Sequence, residues 1–269
     1  LRLFCDVISN RRHRIAVFHI AIFHAGAEAM DAIMTLANRH GLKVVEDAAQ
    51  GVMASYKGRM LGSIGDLGAY SFHETKNIIS GEGGLLVIND EHFVERAEII
   101  WEKGTNRSAF FRGEVNKYGW VDVGSSFLPS DMIAAFLYAQ LENLVDIQNK
   151  RKLIWEAYYN GLQHIENKGL LRLAKIPDFA TNNAHMFYIV CKSLDERQTL
   201  IQYLKNNQIH AVFHYLSLHK SDFYLKDNDA ATLPNSDYFT DTLVRLPFYY
   251  DLNNEEQQKV IQAIQEFYA

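Results

Sequence analysis

An alternation near the start of the chain limits its folding options most. Ile15 to Phe23 is an apolar run that reads as a strand. Glu28 to His40 reads as a helix, with Met30, Ile33, Met34 and Ala37 on one face and Gly41 as its C-terminal stop. Leu42 to Glu46 is the next strand. Strand, helix, strand at this spacing suggests a βαβ unit and a largely parallel sheet. Ligands of such sheets gather beyond the carboxyl ends of the strands, which is where Asp47 falls.

A second stretch carries chemistry: Ser-Phe-His-Glu-Thr-Lys-Asn-Ile-Ile-Ser-Gly-Glu-Gly-Gly, from Ser71 to Gly84. Apolar runs flank it, Leu67 to Phe72 before and Leu85 to Ile88 after, and both read as buried strands. Lys76 therefore sits in the connection between two core elements. Glycines at 81, 83 and 84 let that connection turn tightly and approach a ligand. A lysine held at a core edge loses hydration, which favours its neutral, nucleophilic form. A neutral amine is what a Schiff base with an aldehyde cofactor requires. A carboxylate ending the β-branched Val44-Val45 strand would pair with the ring nitrogen of pyridoxal phosphate and keep it protonated. The plainer readings are a solvent-facing loop lysine and a helix-capping aspartate.

Glu46-Asp47-Ala48-Ala49-Gln50-Gly51, Ser71-Phe72-His73-Glu74-Thr75-Lys76-Asn77 and Gly81-Glu82-Gly83-Gly84 together resemble the DegT/StrS-type nucleotide-sugar aminotransferases. Further stretches are similar: Glu102 to Ser108, Asp122 to Ser126, Asn183 to Tyr188, and Phe213-His214-Tyr215 with His219. The resemblance runs from roughly residue 30 to 269, with several motifs in order. It is strongest to the subgroup that forms dTDP-4-amino-4,6-dideoxygalactose. Many family members carry an asparagine ahead of the position of Asp131 that reaches the partner subunit's cofactor. Here Ser125 to Ser130 contains none, a departure that this subgroup shares.

The resemblance implies fold type I of the pyridoxal-phosphate transferases, an α/β fold. Its central sheet is mostly parallel, and a smaller α+β domain follows toward the C-terminus. It implies Lys76 as the cofactor lysine and proton carrier, Asp47 at the ring nitrogen, Gln50 at the phenolic oxygen and Ser71 at the phosphate. It also brings His185, His214 and Tyr215 toward the sugar nucleotide, and Arg107 toward an anionic phosphate. For Ser71 a backbone-bonded strand serine is the rival reading; for Arg107 it is a surface arginine, and for His73 a satisfied core histidine. The implied reaction transfers an amine from an amino acid, with glutamate expected, to dTDP-4-keto-6-deoxyglucose in a homodimer. Two other readings stay open: a sugar aminotransferase of different regiochemistry or on a UDP sugar, and a non-catalytic remnant.

Composition sets limits. The 48% hydrophobic and 22% charged content over 269 residues suits a globular protein with a substantial core. A net charge of -5 gives no sign of nucleic-acid binding. Cys5 and Cys191 lie far apart without a CxxC partner, which disfavours a disulfide scaffold or a metal site and fits a reducing cytoplasm. Arg11 to Arg14, Ile15 to Phe23 and Ala25 to Ala27 follow the order of a signal peptide. Asp6 lies ahead of them and His19 interrupts the apolar run, so a buried strand is preferred. No stretch reaches the ~18–20 apolar residues of a membrane span.

The chain opens on Leu1, in what reads as a strand, without methionine. The family's block with phosphate contacts and a stacking aromatic is expected ahead of it, making this a shortened copy whose faces at Val44-Val45 and Leu85 to Ile88 lose cover.

Further along, Asp90 is placed to cap a helix whose buried stripe is Phe93, Val94, Ala97, Ile100 and Trp101. Ser130 to about Ile165 is helical without a clear breaker, with Met132 and Phe136 in its apolar stripe. This is the connector from a large domain, 1–130, into a second, 131–269. In that second part, strands are expected at Met186 to Lys192, Ile209 to His214 and near Arg245 to Tyr249. Helices are expected after the capping box Ser193 to Glu196 and after Asn253 with Glu256; 220–236 reads as a loop.

Overall fold

The computed structural model describes residues 5–10, 13–19, 29–229 and 231–269. The expected opening strand at Leu1 to Phe4, and the end of the run to Phe23, lie outside them. The chain forms two compact units: Leu1–Val145 with Pro177–Asn183, and Asp146–Ile176 with Ala184–Ala269. The division expected at 130/131 differs from this by one helix and by the short segment that returns to the first unit.

The first unit contains β1 (Cys5–Asn10), β2 (His13–His19), α1 (Ala29–His40), β3 (Lys43–Asp47), β4 (Ser55–Tyr56), β5 (Arg59–Met60), β6 (Leu67–Ser71) and β7 (Gly84–Ile88). The helices α2 (Val94–Trp101), α3 (Arg107–Phe111) and α4 (Asp131–Glu142) follow. Its five-stranded sheet has the order β1-β2-β3-β6-β7. β2, β3 and β6 run parallel, as the βαβ reading requires, whereas β1 and β7 pair antiparallel at the two edges. β7 has to reverse, because a short helix-free connection cannot carry a chain back to a parallel start.

α1 ends as its sequence dictates. Gly41 takes φ +61° and Leu42 N–H reaches back to the Ala37 carbonyl at 2.8 Å, so the last turn is closed. Its Met30, Ile33 and Ala37 bury against Val44, Ala48, Leu61 and Ile64. Val44 is fully covered, contrary to the expectation of a bared face, and that burial contributes about 1.5–3 kcal/mol. Leu85 and Leu86 of β7 are half exposed, which corrects the buried-strand reading of that run and agrees with the expected loss of cover.

On the buried face of β3, next to Val44, lies Glu46, which is 0% exposed. Its carboxylate accepts the backbone N–H groups of Gly62 (2.8 Å), Ile64 (2.5 Å) and Gly65 (2.6 Å). These bonds offset the desolvation of the charge and hold the 61–65 turn to the sheet. At the other end of β3, Lys43 bridges Asp66 (2.8 Å) and Asp90 (2.6 Å).

Asp90 does cap, but it opens a short 3-10 turn at Glu91–Phe93 before α2 begins. The buried stripe expected of that helix is at most half-buried, with Trp101 44% exposed. The long helical run is two helices, since Asn143 interrupts between α4 and α5 (Leu144–Asn167). Met132 and Phe136, in the apolar stripe of α4, are 82% and 51% exposed.

The second unit holds most of α5, then β8 (Arg172–Leu173), β9 (Tyr188–Val190), α6 (Leu194–Asn206), β10 (Val212–Phe213), α7 (Pro234–Thr242), β11 (Leu243–Arg245) and α8 (Asn254–Phe267). Its antiparallel sheet has the order β10-β11-β9-β8. Tyr158 of α5 stacks on Phe187 at 5.0 Å and donates its hydroxyl to the Pro247 carbonyl at 2.9 Å. Leu200, Leu204, Ile261 and Ile264 complete the core.

The strands are shorter than their apolar runs and end where their partners end; β11 stops at Arg245, where a strand to Tyr249 was expected. Pro234 starts α7 at its first turn instead of lying in a loop. Asn253 and Glu256 form the full capping box of α8. At α6, Ser193 caps, but Glu196 reaches the N–H of Lys192. Among the described residues no helix is long and apolar enough to cross a membrane.

Candidate active site

Asp47 is the last residue of β3 and Ser71 the last of β6, and the two strands are parallel neighbours. Asp47 stands opposite Ala69, so by the two-residue pleat Asp47, Ala69 and Ser71 share one face, opposite to that of Glu46. One Asp47 carboxylate oxygen accepts the N–H of Ala49 at 3.1 Å, which bends the chain away from the sheet. Gln50 follows in that turn, half-buried.

Beyond β6 the chain folds back on itself. Phe72 N–H meets the Gly83 carbonyl at 2.9 Å, Glu74 N–H that of Gly81 at 3.0 Å, and Ser80 N–H that of Phe72 at 2.7 Å. Gly81 (φ +82°) and Gly83 (φ +144°) adopt backbone conformations that side chains oppose. Lys76 closes a turn with its N–H on the His73 carbonyl at 2.9 Å and is half-buried. His73 shapes that turn: its Nδ1 accepts the Thr75 N–H at 3.2 Å, and its own N–H lies 3.3 Å from Ser71 Oγ.

Lys76, Asp47, Gln50 and Ser71 thus all lie at the carboxyl edge of one sheet. The chemistry of the set fits pyridoxal phosphate: a primary amine for the aldehyde, a carboxylate for the ring N–H, a hydroxyl for the phosphate. Arg107, at the start of α3, is exposed with its guanidinium 5.1 Å over the Phe111 ring. That exposure and stacking are what the surface-arginine reading expects.

His185, His214 and Tyr215 belong to the second unit. His185 is half-buried, and its carbonyl accepts Arg151 Nη2 at 2.7 Å. His214 lies 5.2 Å from the Tyr215 ring, and burial, then the nearby Arg245, lowers its pKa.

Three polar residues of these regions were given no role from the sequence, although Asn77 and Asn183 stand in the quoted motifs. Arg151, buried, also donates to the carbonyl of Ala184 at 3.0 Å, a residue held at φ +48°. Desolvation lowers the guanidinium pKa to about 10. Asn77 and Asn183 are buried, and their hydrogen-bond partners lie more than a hundred residues away, |i−j| being 106 for Asn77 and 133 for Asn183.

A sheet of this topology with a lysine on one strand's loop and an aspartate closing its neighbour defines the fold of the pyridoxal-phosphate-dependent aminotransferases. The chain belongs to the DegT/DnrJ/EryC1/StrS aminotransferase family, whose model matches residues 6–265. The match reaches further toward the start than the quoted motifs do. Aminotransferases of this family use pyridoxal phosphate.

The chain is 32% identical to the spore coat polysaccharide biosynthesis protein SpsC of Bacillus subtilis (strain 168), covering 90% of this chain and 64% of that protein. It therefore spans just under two thirds of the length of that curated relative. Among solved structures, DesV of S. venezuelae superposes with a TM-score of 0.80 at 28% identity, over 97% of this chain and 66% of DesV. The aminotransferase TlmJ of Streptoalloteichus hindustanus gives 0.81 at 23%, over 97% and 67%.

Proposed function

We propose that this chain carries the lysine-bearing part of a nucleotide-sugar aminotransferase that supplies a precursor of surface polysaccharide in the cytoplasm. The observation that carries the reading is the placement of Asp47 and Ser71 on one face at neighbouring strand ends, with Lys76 on the turn that follows. The order of the sequence motifs supports dTDP-4-keto-6-deoxyglucose as acceptor, dTDP-4-amino-4,6-dideoxygalactose as product and glutamate as donor. SpsC, named for polysaccharide biosynthesis, supports the wider setting. The exposed Met132 and Phe136 of α4 suit a homodimer.

When bound, pyridoxal phosphate supplies an aldehyde for amine exchange and a ring that absorbs an electron pair. Lys76 would hold it through Nζ and, when free, move a proton at the substrate carbon that gains or loses nitrogen. Asp47 would keep the ring nitrogen protonated by its charge. Gln50 would orient the phenolic oxygen and Ser71 bind the phosphate. On the substrate side, His185, His214 and Tyr215 are the residues proposed to meet the sugar nucleotide.

The test is to load the protein with pyridoxal phosphate, fix it with borohydride and map the labelled peptide. Product analysis with dTDP- and UDP-4-keto and 3-keto sugars, each with glutamate, accompanies it. Label on Lys76 and a 4-amino dTDP sugar are expected. Label on another lysine, or a 3-amino or UDP product, would replace the corresponding part of the proposal.

A further inference from the structure

Asn183 is 5% exposed and Asn77 6%. Asn183 Nδ2 donates to the carbonyls of both Gln50 (2.7 Å) and Val52 (2.8 Å), while the Asn183 backbone carbonyl accepts Nδ2 of Asn77 at 2.6 Å. One residue therefore touches the loop that follows Asp47 and the residue that follows Lys76.

The geometry needs an amide. A single nitrogen with two hydrogens serves two carbonyls at once, which neither a carboxylate nor a hydroxyl does. The segment presenting Asn183 is itself fastened. Thr181 Oγ1 accepts the Ser55 N–H at 2.8 Å, the Phe179 carbonyl accepts the Lys57 N–H at 2.6 Å, and the Phe179 ring packs edge-on against Tyr56 at 5.6 Å. All of these residues belong to the first unit.

We infer that Asn183 is a positioning residue: it holds the Asp47–Val52 loop and the Lys76–Asn77 turn together, so that Asp47 and Lys76 meet opposite ends of one cofactor ring. The inference rests on the proposed roles of those two residues. Asp47 needs only the ring nitrogen, whereas Lys76 needs the aldehyde carbon across the ring. Loosening the link between the loops should therefore harm a ligand that must satisfy both ends more than one that satisfies only the first.

Two ligands separate these cases. Pyridoxal phosphate carries the aldehyde; pyridoxine phosphate has an alcohol in its place and forms no bond with Lys76. Asn183→Asp keeps the shape and removes both donated hydrogens. Asn77→Ala leaves the bonds to Gln50 and Val52 and removes the donor to the Asn183 carbonyl, which covers the case in which Asn183→Asp fails to fold. Binding of both ligands is measured by titration, together with the thermal midpoint without ligand and the pH at which the lysine-bound chromophore changes colour.

The expected result is a loss of about tenfold or more for pyridoxal phosphate, with pyridoxine phosphate within about threefold of wild type and a shifted chromophore pH profile. Equal loss for both ligands, or no loss for either, would show a purely structural role and overturn the inference. A wild-type protein that takes no borohydride label on Lys76 would overturn the underlying reading of the site instead.

Discussion

Asp47 and Ser71 close two adjacent parallel strands on the same sheet face, with Asp47 directly opposite Ala69. A carboxylate and a hydroxyl in this relation suit the ring nitrogen and the phosphate arm of one flat cofactor. Asp47→Asn should leave the fold in place, because an amide oxygen still accepts the Ala49 N–H. Without the charge proposed to keep the ring nitrogen protonated, turnover should fall by about 10²–10³-fold. Near-normal kcat in the variant would return Asp47 to a turn-forming role.

Glu46 is expected to matter for stability and not for chemistry. Removing its carboxylate in Glu46→Ala leaves the N–H groups of Gly62, Ile64 and Gly65 buried without that acceptor. The loss should be about 3 kcal/mol or more in urea denaturation. A change below ~1 kcal/mol would mean the 61–65 turn is held by other contacts.

The His214 imidazole, half-buried with Nδ1 lacking a partner, gives up its proton more readily in the folded chain than in the unfolded one. Below about pH 6.5 the unfolded chain takes up a proton that the folded one resists, so acidification there should cost stability. The denaturation midpoint should drop between about pH 7 and pH 5, and His214→Gln should flatten that dependence. An unchanged slope in the variant would assign the effect elsewhere.

Burial pushes the Cys191 thiol up to about 11, despite a contact with the Tyr268 hydroxyl at 3.7 Å. At about pH 8 iodoacetamide should modify the peptide containing Cys191 at least ~100-fold more slowly in the folded protein than after unfolding. Comparable rates in the two states would show that the thiol is accessible.

The sequence made one kind of feature plain and hid another. Val44-Val45 followed by two acids and small residues announces a strand that ends at Asp47, and Asn253 with Glu256 announces the start of α8, because each signal is local. The apolar spacing of Met132 and Phe136 shows that α4 has a face, but spacing does not say what covers it. β9 ends at Val190 within a longer apolar run because its antiparallel partner β11 begins only at Leu243, and pairing limits of this kind come from tertiary contacts. Asn77 and Asn183 stood in the quoted motifs, but their partners were hidden for the same reason: an amide carries no mark of the loop it will hold.

The return of Pro177–Asn183 to the first unit also sets an order of events in time. The bond from Asn183 to Gln50 spans 133 residues. At ~5–20 residues per second of synthesis, the Gln50 loop waits on the order of ten seconds before its partner leaves the ribosome. Until then α1, β3 and β6 can assemble, but the Gln50 loop gains no fixed shape from this contact. A premature stop anywhere in the second unit's first stretch, Asp146–Ile176, would yield the sheet without the residue that hydrogen-bonds both the Gln50 loop and Asn77.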